Sequence, residues 1–311
     1  VPKNDEFFGE YIPENKDKLK FISNFSGSYG FALILKDRNY LFVDGRYTLQ
    51  ANNQSKESYK IVTVPNKMPN DILKNKKILI GFDPKLFTKK TLNIFFGRNN
   101  CKFKSLNNNL IDKIWKRKLN NSKSYFYKLP NHSVGESYIS KIDKITLNLK
   151  KRGADFQFIT ASENNAWLFN IRGNDTKYTP IPNSHALIDK NRNIQFFCNL
   201  KKISSSLRKA FKKIKFTKIE LIGKTLSEIK GRKFIIDENT CSIYFENIIS
   251  KSNKLLGWQD PIYQLKAIKN KREIKNIKEA HIYDGAALTK FLFWIKKNFT
   301  KRKITELSAS E

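Results

Sequence analysis

Apolar and polar residues fall in short blocks whose spacing switches between strand-like and helix-like. Residues 31–35 and 40–43 are continuous apolar runs on either side of the polar stretch 36–39, which predicts a hairpin of two short strands. Ahead of it, residues 17–25 read as a short helix, and Ser26-Gly27-Ser28-Tyr29-Gly30 as a turn of small residues. Asp44-Gly45 ends the second strand and residues 46–53 start a helix. Strand and helix then alternate, with strands at 59–64, 77–82 and 102–106 and helices from Asn70 and over 88–96. Such alternation predicts an α/β layer architecture.

The texture changes over residues 107–130, which read as an interdomain linker. A second run follows: a helix over 134–152 stopped by Gly153, a strand at 155–160, a helix at 162–169 and a hairpin from 186–188 and 193–198. The pairing continues with a helix at 204–214, a strand at 219–223, a helix at 225–229, a strand at 233–236 and an apolar segment at 241–249. Residues 260–267 read as a second linker. Residues 270–298 are strongly periodic, with Ile274, Ile277, Ala280, His281, Asp284, Ala287, Leu288 and Phe291 at helical spacing. Thr305 is placed to cap a last helix that is still running at Glu311, and the first residue is Val rather than Met. The expectation is therefore a piece of a longer chain, with one α/β unit over 1–122, a second over 123–262, and the beginning of a third over 263–311.

Composition narrows the class. With 40% hydrophobic and 13% aromatic residues, 311 residues can bury real cores, which excludes wholesale disorder. No window approaches the ~18 consecutive apolar residues of a membrane span. The net charge of +32 would attract polyanions, but the lysines run from residue 3 to residue 303 among abundant Asn and Ile. That spread reads as compositional drift on solvated faces, so neither a nucleic-acid nor a membrane partner is expected. The basic clusters 208–218 and 266–278 carry apolar residues at helical spacing and read as amphipathic helices. Cys101, Cys198 and Cys241 are odd in number and form no C-x-x-C pair, which argues for reduced thiols in a cytoplasmic protein rather than a disulfide framework or a zinc site.

Few residues suggest chemistry by themselves. His132 and His185 lack partners at ligand spacing, and Glu163 with Asp175 makes a poor acid/base pair. The turn at 26–30 lacks the Gly-Lys-Ser/Thr ending of a phosphate loop and leads into a strand. Arg172-Gly173, after Trp167 and Phe169, reads as part of the fold, with both aromatics in the core. Arg46 follows Gly45, which would allow a sharp strand-to-helix turn and a fixed projection of its rigid fork of donors; by itself it reads as a structural arginine paired with Asp44 or a helix-end carbonyl.

Several segments, in order along nearly the whole chain, resemble the long three-domain form of the Xaa-Pro aminopeptidases. They are Glu10-Tyr11-Ile12 with Phe21-Ile22-Ser23-Asn24-Phe25, then Asp44-Gly45-Arg46-Tyr47-Thr48-Leu49-Gln50-Ala51, and Asn109-Leu110-Ile111-Asp112-Lys113-Ile114-Trp115. Trp167-Leu168-Phe169-Asn170-Ile171-Arg172-Gly173 and Glu279-Ala280-His281 with Thr305-Glu306-Leu307-Ser308-Ala309 complete the set. The resemblance implies two tandem creatinase N-terminal-like α/β domains, mixed sheets flanked by helices, followed by the first helices of a truncated "pita-bread" domain. It implies a metalloaminopeptidase parent that hydrolyses the bond between an N-terminal residue and a following proline with two divalent ions, usually manganese, and that often forms a homodimer. The family's ligands, two Asp, one His and two Glu, have no counterpart before Glu311, and His281 matches a family His that is not a ligand. No catalytic or metal residue is therefore expected in this chain, which should be inactive alone and should wall the substrate entrance. Arg46 alone carries over, as a substrate-binding residue. The alternative is a peptidase-like binding protein that has lost catalysis.

Overall fold

A computed structural model of the chain describes residues 1–97, 100–117 and 124–311. The first helix, α1 (Lys18–Ser23), is capped by Asp17, whose carboxylate accepts the Lys20 N–H at 3.0 Å. Strands β1 (Phe31–Ile34) and β2 (Asn39–Asp44) form the hairpin the apolar runs predict, with Phe31 opposite Phe42. Helix α2 (Thr48–Ser55) then carries the chain to β3 (Lys60–Val64), which lies parallel to β2. Phe31, Leu33, Phe42 and Val62 feed one core, whereas Ala32, Leu41 and Val43 meet Leu19 and Ala51 in another. Burial on both faces is why these runs are continuous rather than alternating. After α3 (Pro69–Leu73), β4 (Leu79–Phe82), α4 (Lys89–Phe96) and β5 (Lys102–Ser105) follow; β4 and β5 pair in parallel and pack on the first core.

Residues 107–130 are more than a linker. Helix α5 (Leu110–Ile114) buries Ile111, and Trp115 stacks on Phe21 at 4.8 Å. Strand β6 (Tyr127–Lys128) pairs with Ile171 and Arg172, and Phe126 is buried in the next core. Apolar side chains spaced through a polar stretch thus bind both of its described ends to the domains. The expected boundary at 122/123 lies outside the described residues.

The expected helix over 134–152 is two. A short α6 (Asn131–Val134) ends at Gly135, with φ 71°, and α7 (Tyr138–Lys151) starts afresh behind its Ser137 cap. There follow β7 (Phe156–Ile159), α8 (Ser162–Phe169), β8 (Ile171–Arg172), β9 (His185–Asp189), β10 (Ile194–Cys198), α9 (Ser205–Ala210) and β11 (Ile214–Lys218). The unit closes with α10 (Ile222–Glu228), β12 (Lys233–Ile236), α11 (Ile243–Ser250) and β13 (Lys254–Gly257). Its six-stranded sheet has the order β11-β10-β9-β7-β12-β13, with β9 antiparallel to both neighbours and the other pairings parallel. Ile159, Ile188 and Phe196 face α7, α8 and α9; Phe158, Leu187, Phe197 and Phe234 face α10 and α11. This is the mixed sheet flanked by helices that the resemblance implies.

Two expectations fail here. The strand sits at β11 rather than at 219–223, and the basic cluster 208–218 is a helix end plus an edge strand rather than one amphipathic helix. Ile214 and Phe216 alternate with Lys215 and Thr217, and Phe216 pairs with Phe196 of β10. Period-two burial beside β10 overrides the coincidental helical spacing of the lysines.

The second expected linker is also structured. Asp260 and Ile262 are buried, and α12 (Ile262–Ala267) packs Ile262 into the second unit's core. Helix α13 (Lys271–Asn298) runs as its periodicity predicts, with Asn270 and Glu273 forming a capping box. Thr305 caps α14 (Glu306–Ser310). The start of α13 is tied to the second unit: Asn270 Nδ2 donates to the Val134 carbonyl at 2.9 Å, Asn276 Nδ2 to that of Ser133 at 2.8 Å, and Trp167 Nε1 to Glu273 at 3.3 Å. A Cβ on Gly135 would lie 2.4 Å from Asn270 Oδ1, besides being strained at positive φ. Gly135→Ala is expected to lower stability by about 1–2 kcal/mol, read as a lower urea midpoint.

Candidate functional site

Arg46 leaves the carboxyl end of β2 on a single 3-10 turn, Gly45–Tyr47. The turn is built by Asp44: its Oδ1 accepts the Arg46 backbone N–H at 3.0 Å. Gly45 has no positive φ, and a Cβ there would meet nothing within 4 Å, so the expected conformational role of this glycine is corrected; the Asp44 side chain makes the bend. Arg46 Nη2 also donates to Asp44 Oδ2 at 2.7 Å, and Nε lies 3.2 Å from Oδ1. These hydrogen bonds hold the Asp44 carboxyl below its usual range. Arg46 remains 73% exposed, with its guanidinium 5.3 Å from the centre of the Tyr47 ring. The structural pairing and the presentation of Arg46 to solvent therefore coexist.

The two units enclose a cleft of about 1550 Å³, lined by Glu10 and Tyr11 from one side and Tyr178, Lys202 and Tyr244 from the other. Phe7 stacks on His185 at 5.2 Å and Tyr11 meets Tyr178 edge-on at 5.5 Å across it. Ser28 belongs to its margin and bonds the Tyr47 hydroxyl at 2.6 Å. Arg46 is not in the lining, and neither is Tyr47, beside which it stands.

One seam fixes the units against each other. Helix α11 has no side-chain cap, and its first N–H groups, those of Ile243 and Tyr244, donate to Phe87 and Pro84 carbonyls of the first unit at 2.8 and 3.0 Å. Ile243 enters the first unit's core, and Glu246 pairs with Lys89 at 2.6 Å. Burial raises the Glu246 carboxyl against the opposing pull of Lys89.

The other sequence candidates are structural. His185 is buried and lowered by that burial to about 4, with Nδ1 3.1 Å from the Thr160 carbonyl. Glu163 accepts from Tyr263 between α8 and α12, whereas Asp175 pairs with Lys202 and accepts the Asn183 N–H, so the two carboxylates serve separate contacts. Arg172 Nη1 donates to the Ala166 carbonyl at 2.6 Å; Phe169 is buried, whereas Trp167 is only half-buried at the α13 contact. His132 and His281 are exposed. Burial pushes the Cys198 thiol up to about 12 and raises that of Cys241 too, which makes both inert. Among the described residues no group of three or more His, Cys, Asp or Glu could hold a metal ion, so these residues do not fit a two-metal centre. No described helix is long and apolar enough to cross a membrane.

Sequence reasoning missed two buried polar hubs. Lys141, lowered by burial to about 8, donates to the Trp167 carbonyl and to Asn170 Oδ1 at 2.8 and 2.7 Å beneath the Trp167 ring. Asp260 accepts from Gln157, Asn164 and the Ile262 N–H. The signal at Asp260 was present: an Asp before Pro261 and an apolar pair, Ile262 and Leu265, at helical spacing.

Two mixed α/β units joined along a seam, with an arginine at a strand end and a long helix leading away, make a tandem α/β architecture. The chain belongs to the creatinase/prolidase N-terminal domain family, whose models match residues 11–114 and 117–273. It is 30% identical to a probable Xaa-Pro aminopeptidase P of Laccaria bicolor, covering 96% of this chain and 48% of that protein. It is 29% identical to Xaa-Pro aminopeptidase 1 of Dictyostelium discoideum, covering 97% and 51%. The crystal structure of the X-prolyl aminopeptidase of Caenorhabditis elegans, described as a cytosolic enzyme with a di-nuclear active site, superposes with a TM-score of 0.89 at 25% identity over 99% of this chain and 53% of that one. The chain thus spans about half the length of the relatives it matches.

Proposed function

We propose that this chain is the N-terminal part of a metal-dependent Xaa-Pro aminopeptidase, which hydrolyses the bond between an N-terminal residue and a following proline. The observation that carries this reading is similarity to Xaa-Pro aminopeptidases over nearly the whole chain, including the 0.89 superposition. The partition is 1–122 and 123–262 for the two creatinase-like domains and 263–311 for the start of a pita-bread domain. Their task is to wall the substrate entrance, and the fixed seam at α11 suits a wall. Arg46 is the substrate-binding residue: exposed at the end of β2 and pre-set by Asp44, it offers N–H donors to a peptide oxygen. The residues in hand do not hold the two metal ions, manganese in this reading; their ligands belong to the half of the relatives' length that this chain does not span. The protein is cytoplasmic and homodimeric, with peptides bearing proline at the second position as its partners and neither nucleic acid nor membrane among them.

The test expresses the whole reading frame and follows release of the N-terminal residue from a peptide with proline second. Chelation is expected to abolish cleavage and added Mn²⁺ to restore it. Arg46→Ala is expected to lower kcat/KM roughly 10- to 100-fold with unchanged thermal midpoint. Absence of proline-specific cleavage in the metal-loaded protein would overturn the enzyme reading in favour of a binding protein, and an unchanged kcat/KM would remove Arg46 from the site.

A further inference from the structure

We propose that Asp44 is a positioning residue that sets what Arg46 can bind: an uncharged carbonyl oxygen in preference to a free carboxylate. The inference rests on the reading of Arg46 as the substrate contact. An arginine can grip a carboxylate with either edge of its guanidinium, and it does so because both hydrogen bonds and charge favour the match. Here the Nε–Nη2 edge is already taken. Nη2 lies 2.7 Å from Asp44 Oδ2, and Nε lies 3.2 and 3.3 Å from Oδ1 and Oδ2. Tyr47 sits against one face, at 5.3 Å from the guanidinium carbon, and is itself pinned by Ser28 at 2.6 Å and by an edge-on contact with Phe25 at 5.9 Å. The guanidinium is held from two sides, while Nη1 has no hydrogen-bond partner among the described residues.

The Nη1–Nη2 edge can still donate, so a carbonyl oxygen or a carboxylate gains hydrogen bonds there, and the choice between them falls to charge. A second carboxylate finds the arginine's charge already cancelled and a like charge a few ångströms away. On an exposed surface that difference amounts to roughly five- to tenfold in affinity. Asp44 also builds the turn through its Oδ1, which an asparagine side chain would keep.

The experiment uses the full-length protein and a matched pair of substrates, an Xaa-Pro dipeptide with a free carboxylate and the same dipeptide as its C-terminal amide. Steady-state kcat/KM is measured for both at neutral pH. Wild type is expected to favour the amide. Asp44→Asn keeps the turn but leaves Arg46 uncompensated, so the acid-to-amide ratio of kcat/KM is expected to rise about tenfold. In the double variant with Arg46→Ala that rise is expected to vanish. A ratio within twofold of wild type in Asp44→Asn, with Arg46→Ala still lowering both activities, would leave Asp44 as the builder of the turn alone and overturn the proposal while sparing the Arg46 reading. If Arg46→Ala changes neither activity, or the wild type cleaves neither substrate, the underlying reading falls and this one with it.

Discussion

Phe196→Ala is expected to cost about 3–5 kcal/mol, the range for emptying a fully buried aromatic site. Phe196 lies on β10, is fully buried, and meets Phe169 and Phe216 edge-on at 5.3 and 5.7 Å. Its neighbours Ile188, Leu168 and Phe211 come from three other elements, so no single one can shift to fill the void. The loss should appear as a lower urea midpoint with little change in slope. Leu49→Ala, at a side chain 76% exposed, should stay within about 0.5 kcal/mol of wild type. A similar loss at both positions would contradict the packing described.

Asp260→Ala is expected to cost about 3 kcal/mol or more, for a polar rather than a packing reason. Its carboxylate accepts Gln157 Nε2 at 2.8 Å, Asn164 Nδ2 at 2.7 Å and the Ile262 N–H at 3.0 Å, and alanine leaves all three buried donors unmet. Burial raises this carboxyl from 3.8 to about 6, with Asp237 adding in the same direction. The folded protein therefore binds the proton more tightly than the unfolded chain does. The sign is fixed: the contribution of Asp260 to stability is greatest below about pH 4, declines as pH rises to about 6, and stays low above. The difference in unfolding free energy between wild type and Asp260→Asn, measured across that window, should fall with rising pH. A flat difference would show that the carboxyl titrates normally.

Asp260 also marks where the sequence could be read and where it could not. Residues 260–267 look like a linker because polar residues and a proline interrupt the apolar rhythm. In the fold, Asp260 reaches Gln157 and Asn164, about a hundred residues earlier, and these convert a polar break into a buried junction. Nothing local reveals partners so far away. The same limit explains β11: lysines at 212, 213, 215 and 218 fit a helical face as well as an exposed edge, and only the parallel pairing of Phe216 with Phe196 decides. The α6–α7 break at Gly135 escaped because the apolar spacing runs through it, while the φ of 71° belongs to the left-handed end of α6, against which Asn270 packs.

The site divides in the same way. Asp44-Gly45-Arg46 ends an apolar run, and the resemblance rather than the run singled out Arg46, which the structure places at the strand end, 73% exposed. That Asp44 both builds the turn and occupies one edge of the guanidinium is a matter of side-chain geometry that spacing does not contain.

The sequence by itself determined the alternation of strands and helices, the β1–β2 hairpin, the helices α8 and α13, and the α/β class, because each rests on contacts and periods within a few residues. Only the tertiary structure decided the strand order of the six-stranded sheet, the seam where α11 donates its first N–H groups to the other unit, and the buried partners of Lys141 and Asp260. Those depend on which distant groups meet out of water, where an unmet donor or an unfilled volume costs far more than any local propensity can offset.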